Sequence, residues 1–106
     1  MDQNQDIKDK VRRFRLEAAQ LFPIKKVLLY GSHAKGHAKA DSDIDVAVVV
    51  DIADHLKRID ITTALFHCAG EVDVCIEPKC VFWDEYQYCE QGSILSEIKK
   101  TAIEIT

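Results

Sequence analysis

Several things are scarce in this chain, and each scarcity removes a class of function. The longest unbroken apolar run is Val46–Val50, far short of the roughly 20 residues a membrane-spanning helix needs. Residues 1–20 are polar and charged with no apolar stretch of the kind a secretory leader carries, so none is expected. Cys68, Cys75, Cys80 and Cys89 are separated by six, four and eight residues, so there is no C-x-x-C pair. That spacing favours reduced thiols of a cytoplasmic protein, with Cys75 a small buried hydrophobe in a strand, over a zinc or redox site. Surplus base is missing too: 14 Lys and Arg face 18 Asp and Glu, a net charge of -4. Nucleic-acid binding needs clustered cations to displace phosphate counterions, so neither nucleic acid nor membrane is expected as a partner. Repeats, low-complexity segments and linkers are absent. A single domain over residues 1–106 is expected, burying roughly 60–70% of its unfolded surface. A large acceptor would then be met by a separate chain or through a homo-oligomer.

What is present reads as alternating helices and strands. Ile7, Val11, Phe14, Ala18, Leu21 and Phe22 recur at helical spacing, predicting an amphipathic helix over 6–21 that Pro23 stops. Lys26–Tyr30 is β-prone, and residues 32–39 suit a short helix or turn weakened by Gly36. Ile44–Val50 is a strand. A helix capped by Asp51 or Asp54 should run to about Ala69, with Gly70 as its C-cap. Val72–Ile76 is predicted as a third strand stopped by Pro78, followed by a short helix over Phe82–Cys89. Ser93 should cap a last helix, and Ala102–Ile105 alternates like an edge strand. The fold class is α/β, a small mixed sheet flanked by helices. The first two strands should be antiparallel, and the second and third parallel through the intervening helix.

Within that frame one constellation carries chemistry. Gly31-Ser32 follows the first strand, ten residues intervene, and Asp43-Ile44-Asp45 opens the second. Residues i and i+2 of a strand share a face about 6.5–7 Å apart, so Asp43 and Asp45 should point together. Asp73, placed at the start of the next predicted strand, could join them. Like carboxylates at such range repel by about 1–4 kcal/mol per close pair, a conflict that a divalent cation removes. Hard oxygen ligands with open positions suit Mg²⁺ or Mn²⁺. Gly31 permits close backbone approach, and Ser32 with the following N–H groups makes an anion-binding corner. Between Lys25 and Ala40 stand four lysines, two histidines and no acid before Ala40, a positive stretch suited to a phosphate tail. It is not a P-loop, because no Lys-Ser/Thr follows the second glycine. Taken singly, the aspartates could be strand-entry residues and Ser32 a mere cap. His33 and His37 are expected as solvated polar residues, as are His55 and His67. Phe82, Trp83, Tyr86 and Tyr88 could be packing or a partner surface.

The segments Gly31-Ser32-His33-Ala34-Lys35-Gly36, Ser42-Asp43-Ile44-Asp45-Val46-Ala47-Val48-Val49 and Val72-Asp73-Val74 resemble the minimal nucleotidyltransferases of the DNA polymerase β-like superfamily. The resemblance extends over nearly the whole chain and implies the polymerase β-like nucleotidyltransferase fold. It implies metal binding and catalysis by Asp43, Asp45 and Asp73, with Asp73 also a candidate base. It implies nucleotide binding by Gly31, Ser32 and Lys35. Relatives often carry Arg where this chain has His33 and Lys35, and lysine keeps the charge without the bidentate geometry. The implied reaction is in-line attack of an acceptor hydroxyl on the α-phosphate of ATP or another nucleoside triphosphate, with Mg²⁺ or Mn²⁺ as cofactor. The implied partner is a HEPN-domain toxin whose tyrosine receives AMP, making this chain an antitoxin. The alternatives are a non-catalytic nucleotide-binding or toxin-masking module, or a transferase acting on a small hydroxylated acceptor such as an antibiotic.

Overall fold

The computed structural model describes residues 3–36 and 42–106. Four strands form one mixed sheet: β1 (Ile24–Tyr30), β2 (Ile44–Val50), β3 (Ile76–Phe82) and β4 (Ile103–Glu104), in the order β3-β2-β1-β4. β1 runs antiparallel to β2 and to β4, while β2 and β3 are parallel. The helices are α1 (Gln3–Ala19), α2 (Ser32–Lys35), α3 (Arg58–Val72), α4 (Trp83–Gln87) and α5 (Ile94–Thr101). No described helix is long and apolar enough to cross a membrane.

β2 lies inside the sheet and is buried on both faces, which explains why its sequence is a continuous apolar run rather than an alternation. On one face Val46, Val48 and Val50 pack with Ile7, Val11, Phe14 and Ala18 of α1 and with Ile61, Leu65, Cys68 and Ala69 of α3. On the other, Ala47 and Val49 pack with Leu28, Val81 and Ile98, flanked by Tyr30, Trp83 and Tyr86. Phe82, Trp83 and Tyr86 of the aromatic cluster are thus packing residues, and Tyr88 is exposed. Ser93 caps α5 by accepting from the Ser96 N–H at 3.1 Å, and Asp54 caps a 3-10 turn at Leu56.

The third strand departs from the sequence expectation. α3 runs through Gly70 to Val72, with Asp73 rather than Gly70 as its C-cap, so Asp73 sits in a turn and β3 begins at Ile76. Pro78 does not stop this strand. The Cys75 carbonyl accepts from Ile44 N–H of β2, so by alternation the main-chain groups of residues 76, 78, 80 and 82 face the outer edge. Proline there forfeits no ladder bond. Arg58 and Glu85 cover its C-terminal part: the Arg58 guanidinium donates to the Cys80 carbonyl and pairs with Glu85, which accepts from the Phe82 N–H. Cys75 is half-buried in the turn rather than in a strand; all four cysteines are free thiols.

Candidate active site

The antiparallel register sets Tyr30, the last residue of β1, opposite Asp45 near the start of β2. The turn that leaves β1 therefore lies beside the incoming carboxylates. Gly31 has φ +76° and ψ -150°, a conformation L side chains rarely adopt. It also has no room: a Cβ built there would lie 2.3 Å from Asp45 Oδ2. The close approach that requires glycine is to the Asp45 carboxylate itself. α2 then forms a single turn, closed by Gly36 in the left-handed region donating to the Ser32 carbonyl.

Burial raises the Asp45 carboxyl above its ordinary value, the neighbouring Asp43 charge raises it further, and His33 opposes both. Asp45 and Asp43 are thus brought together, half-buried and exposed respectively, as a like-charged pair held against a glycine turn. The residue beside Asp45 on the parallel strand is Glu77, not Asp73. Tyr30, Asp45 and Glu77 form a cross-strand row on one face of the sheet and line a cavity of about 340 Å³ with Arg58, Thr62, Phe66 and Lys79. Burial, then the Asp45 and Glu77 charges, hold the Tyr30 phenol above its ordinary range, so it is a protonated donor at neutral pH.

Asp73 is engaged by other partners. Its Oδ2 accepts from Lys10 Nζ of α1 at 2.8 Å and its Oδ1 from the Cys75 N–H at 2.8 Å. The Lys10 hydrogen bond, then the Cys75 one, draw its carboxyl below the usual range. Asp73 does not open a strand as expected: it sits in the turn before β3, where Cys75 lies within electrostatic reach of both Asp73 and Asp43. Among the described residues no three histidine, cysteine or acidic side chains form a metal cage by themselves. The donor set still fits Mg²⁺ or Mn²⁺, which bind through one or two carboxylates and complete their shell with phosphates and water.

The positive stretch before the carboxylates disperses. Lys25 and Lys26 lie at the far end of β1 from the turn, Lys25 3.9 Å from Asp51 and Lys26 3.0 Å from Glu104. Lys35 is exposed on α2 next to the turn. Lys39 and His37 lie outside the described residues. His33 is not solvated but buried, with 4% of its surface exposed. Glu77 and His33 are the residues that sequence reasoning missed. The alternation Ile76, Pro78, Cys80 was the available signal for Glu77, hidden by reading proline as a stop; nothing local marked His33.

Residues 11–105 match the nucleotidyltransferase domain family. The chain is 33% identical over 75 residues to "Putative protein adenylyltransferase MJ0604" of Methanocaldococcus jannaschii, covering 70% of this chain and 74% of that one. It is 32% identical over 57 residues to "Putative protein adenylyltransferase MJ1215" of the same organism, covering 53% and 66%. Among solved structures it is similar to a "putative nucleotidyltransferase from Sulfolobus solfataricus", with TM-score 0.61, 17% identity, and coverage of 79% of this chain and 74% of that one. A second, a "toxin-antitoxin with AMP-PNP", has TM-score 0.53, 18% identity, and coverage of 93% and 72%. With a family match over nearly its full length and the Gly-Ser turn folded against an aspartate pair, the chain belongs to the nucleotidyltransferase domain family.

Proposed function

We propose that this enzyme transfers AMP from ATP to a protein hydroxyl, in the cytosol, as the antitoxin of a toxin–antitoxin pair whose HEPN-family toxin offers a tyrosine. The observation that carries the reading is the Asp43–Asp45 pair set against the Gly31 turn. Support for a protein acceptor comes from the two adenylyltransferase relatives and the toxin–antitoxin neighbour; the HEPN identity rests on the motif resemblance.

Asp43 and Asp45 would hold Mg²⁺ or Mn²⁺, which supplies neutralisation of the triphosphate and polarisation of the attacked phosphoryl group. Ser32 and the main-chain N–H groups of the turn orient the phosphates, and Lys35 adds a point charge. The acceptor oxygen bonds to the α-phosphorus, the bond to the bridging oxygen breaks, and pyrophosphate leaves. A carboxylate takes the acceptor proton. Glu77 is the stronger candidate for that role than Asp73, because it neighbours Asp45 across the sheet whereas Asp73 is taken up by Lys10. A second reading, a nucleotide-binding module that does not turn over, draws on the Lys10–Asp73 pair.

The test uses α-labelled ATP, Mg²⁺ or Mn²⁺, and a HEPN protein that copurifies with the chain. Label should pass to a tyrosine of that partner with pyrophosphate release. Asp45→Asn should reduce transfer by at least about 10³-fold and Glu77→Gln by about 10²-fold, with Asp73→Asn within about tenfold of the parent. Nucleotide binding without pyrophosphate would favour the second reading. A loss in Asp73→Asn with none in Glu77→Gln would reassign the third carboxylate.

A further inference from the structure

His33 and Ser96 are the only polar residues buried among those described. An imidazole taken out of water is costly unless it is hydrogen-bonded, and His33 Nε2 lies 3.3 Å from the main-chain oxygen of Ser42. A carbonyl can only accept, so Nε2 carries the proton and donates. The two ends of this bond are informative. His33 stands directly after the Gly31-Ser32 turn, and Ser42 directly before Asp43. The bond therefore ties the turn to the residue that precedes the aspartate pair, across nine positions of sequence.

We propose that His33 is a positioning residue for metal-bound nucleotide: by holding the Ser42 carbonyl it fixes Asp43 and Asp45 relative to the Gly31-Ser32 turn. The inference rests on the reading of this site as a nucleotidyl-transfer centre. In this role His33 acts through the Ser42 carbonyl and not on a reactant. Its influence reaches Asp45, where it opposes the upward pull of burial and Asp43 on the carboxyl. A side chain that merely filled space could be replaced by leucine. One that donates from Nε2 can be replaced only by a group reaching as far, which glutamine does and asparagine does not.

The experiment compares the parent with His33→Leu, His33→Asn and His33→Gln in two measurements. The first is amide hydrogen exchange of Ser32–Gly36 and Asp43 without ligand. The second is calorimetric affinity for Mn²⁺ with a non-hydrolysable ATP analogue, with kcat and KM for labelled transfer alongside. In His33→Leu and His33→Asn those amides should exchange about tenfold faster, and affinity should fall about 10- to 100-fold. The loss should sit in KM, with kcat changed by less than about threefold. His33→Gln should recover both. If His33→Leu does not fold, the asparagine–glutamine pair decides. Parent-like exchange and binding in His33→Asn would overturn the proposal, as would equal impairment of His33→Asn and His33→Gln at equal melting temperature. Should the parent bind no manganese nucleotide while the amides still loosen in His33→Asn, the nucleotide role is overturned along with the transfer reading and only the clasp survives.

Discussion

Gly31 and Asp45 are one feature seen from two residues. The glycine is required by its positive φ and by the carboxylate that fills the space a Cβ would take. Gly31→Ala should therefore cost about 1–3 kcal/mol in stability from backbone strain. Because the carboxylate is the group that must move, transfer should be lost altogether while the folded protein still melts cooperatively. Circular dichroism melting and labelled transfer on one preparation read the two effects separately. Asp45→Asn makes the opposite stability prediction. The folded Asp45 carboxyl lies above its unfolded value, so the unfolded chain gives up its proton first as pH rises. Above the folded value the ionised group therefore destabilises the fold, and below the unfolded value the effect is gone. Asp45→Asn should accordingly melt higher than the parent at pH 7 without metal, with the gain vanishing as pH falls below the carboxylate range. A lower melting point at pH 7 would contradict it.

At the scale of elements, β3 decides both edge protection and the third carboxylate. The C-terminal part of its outer edge is covered by Arg58, which bonds the Cys80 carbonyl, pairs with Glu85 and lies 4.7 Å from the Phe82 ring centroid. Arg58→Ala should cost about 1–2 kcal/mol and leave strand edge open to pairing with another molecule. Concentration-dependent light scattering is expected to rise; an unchanged, concentration-independent mass would refute this. The same strand marks where the sequence was legible and where it was not. α1, β2 and α5 were readable because helical spacing, an unbroken apolar run and a serine cap are local signals. The antiparallel pairing followed from where the turn and the aspartate pair had to meet; the parallel pairing holds although its premise, a strand opening at Asp73, does not. β3 was displaced because Val72-Asp73-Val74 has strand-like composition, yet the first of these still serves as the last turn of α3. Whether a proline interrupts a strand depends on which edge is free, a tertiary fact. That the Gly31 turn meets the Asp43–Asp45 pair was legible; the Lys10 partner of Asp73 and the burial of His33 were not, since both arise from packing.

Over the whole molecule, α1 and α3 cover one face of the sheet, while the Tyr30–Asp45–Glu77 row emerges on the other at the end where β1 yields to the turn. The sheet thus holds like charges side by side, with His33 only partly opposing them among the described residues, and a divalent cation is the neutralising group proposed above. The most direct measurement is the nuclear magnetic resonance spectrum of ¹⁵N-labelled protein titrated with substoichiometric Mn²⁺, whose paramagnetism broadens nearby amides. Broadening should centre on Gly31-Ser32, Asp43–Asp45 and Glu77, leave Lys10 and the middle of α1 sharp, and disappear in Asp45→Asn. Broadening centred on Asp73 and Lys10, or unaltered in Asp45→Asn, would contradict the account.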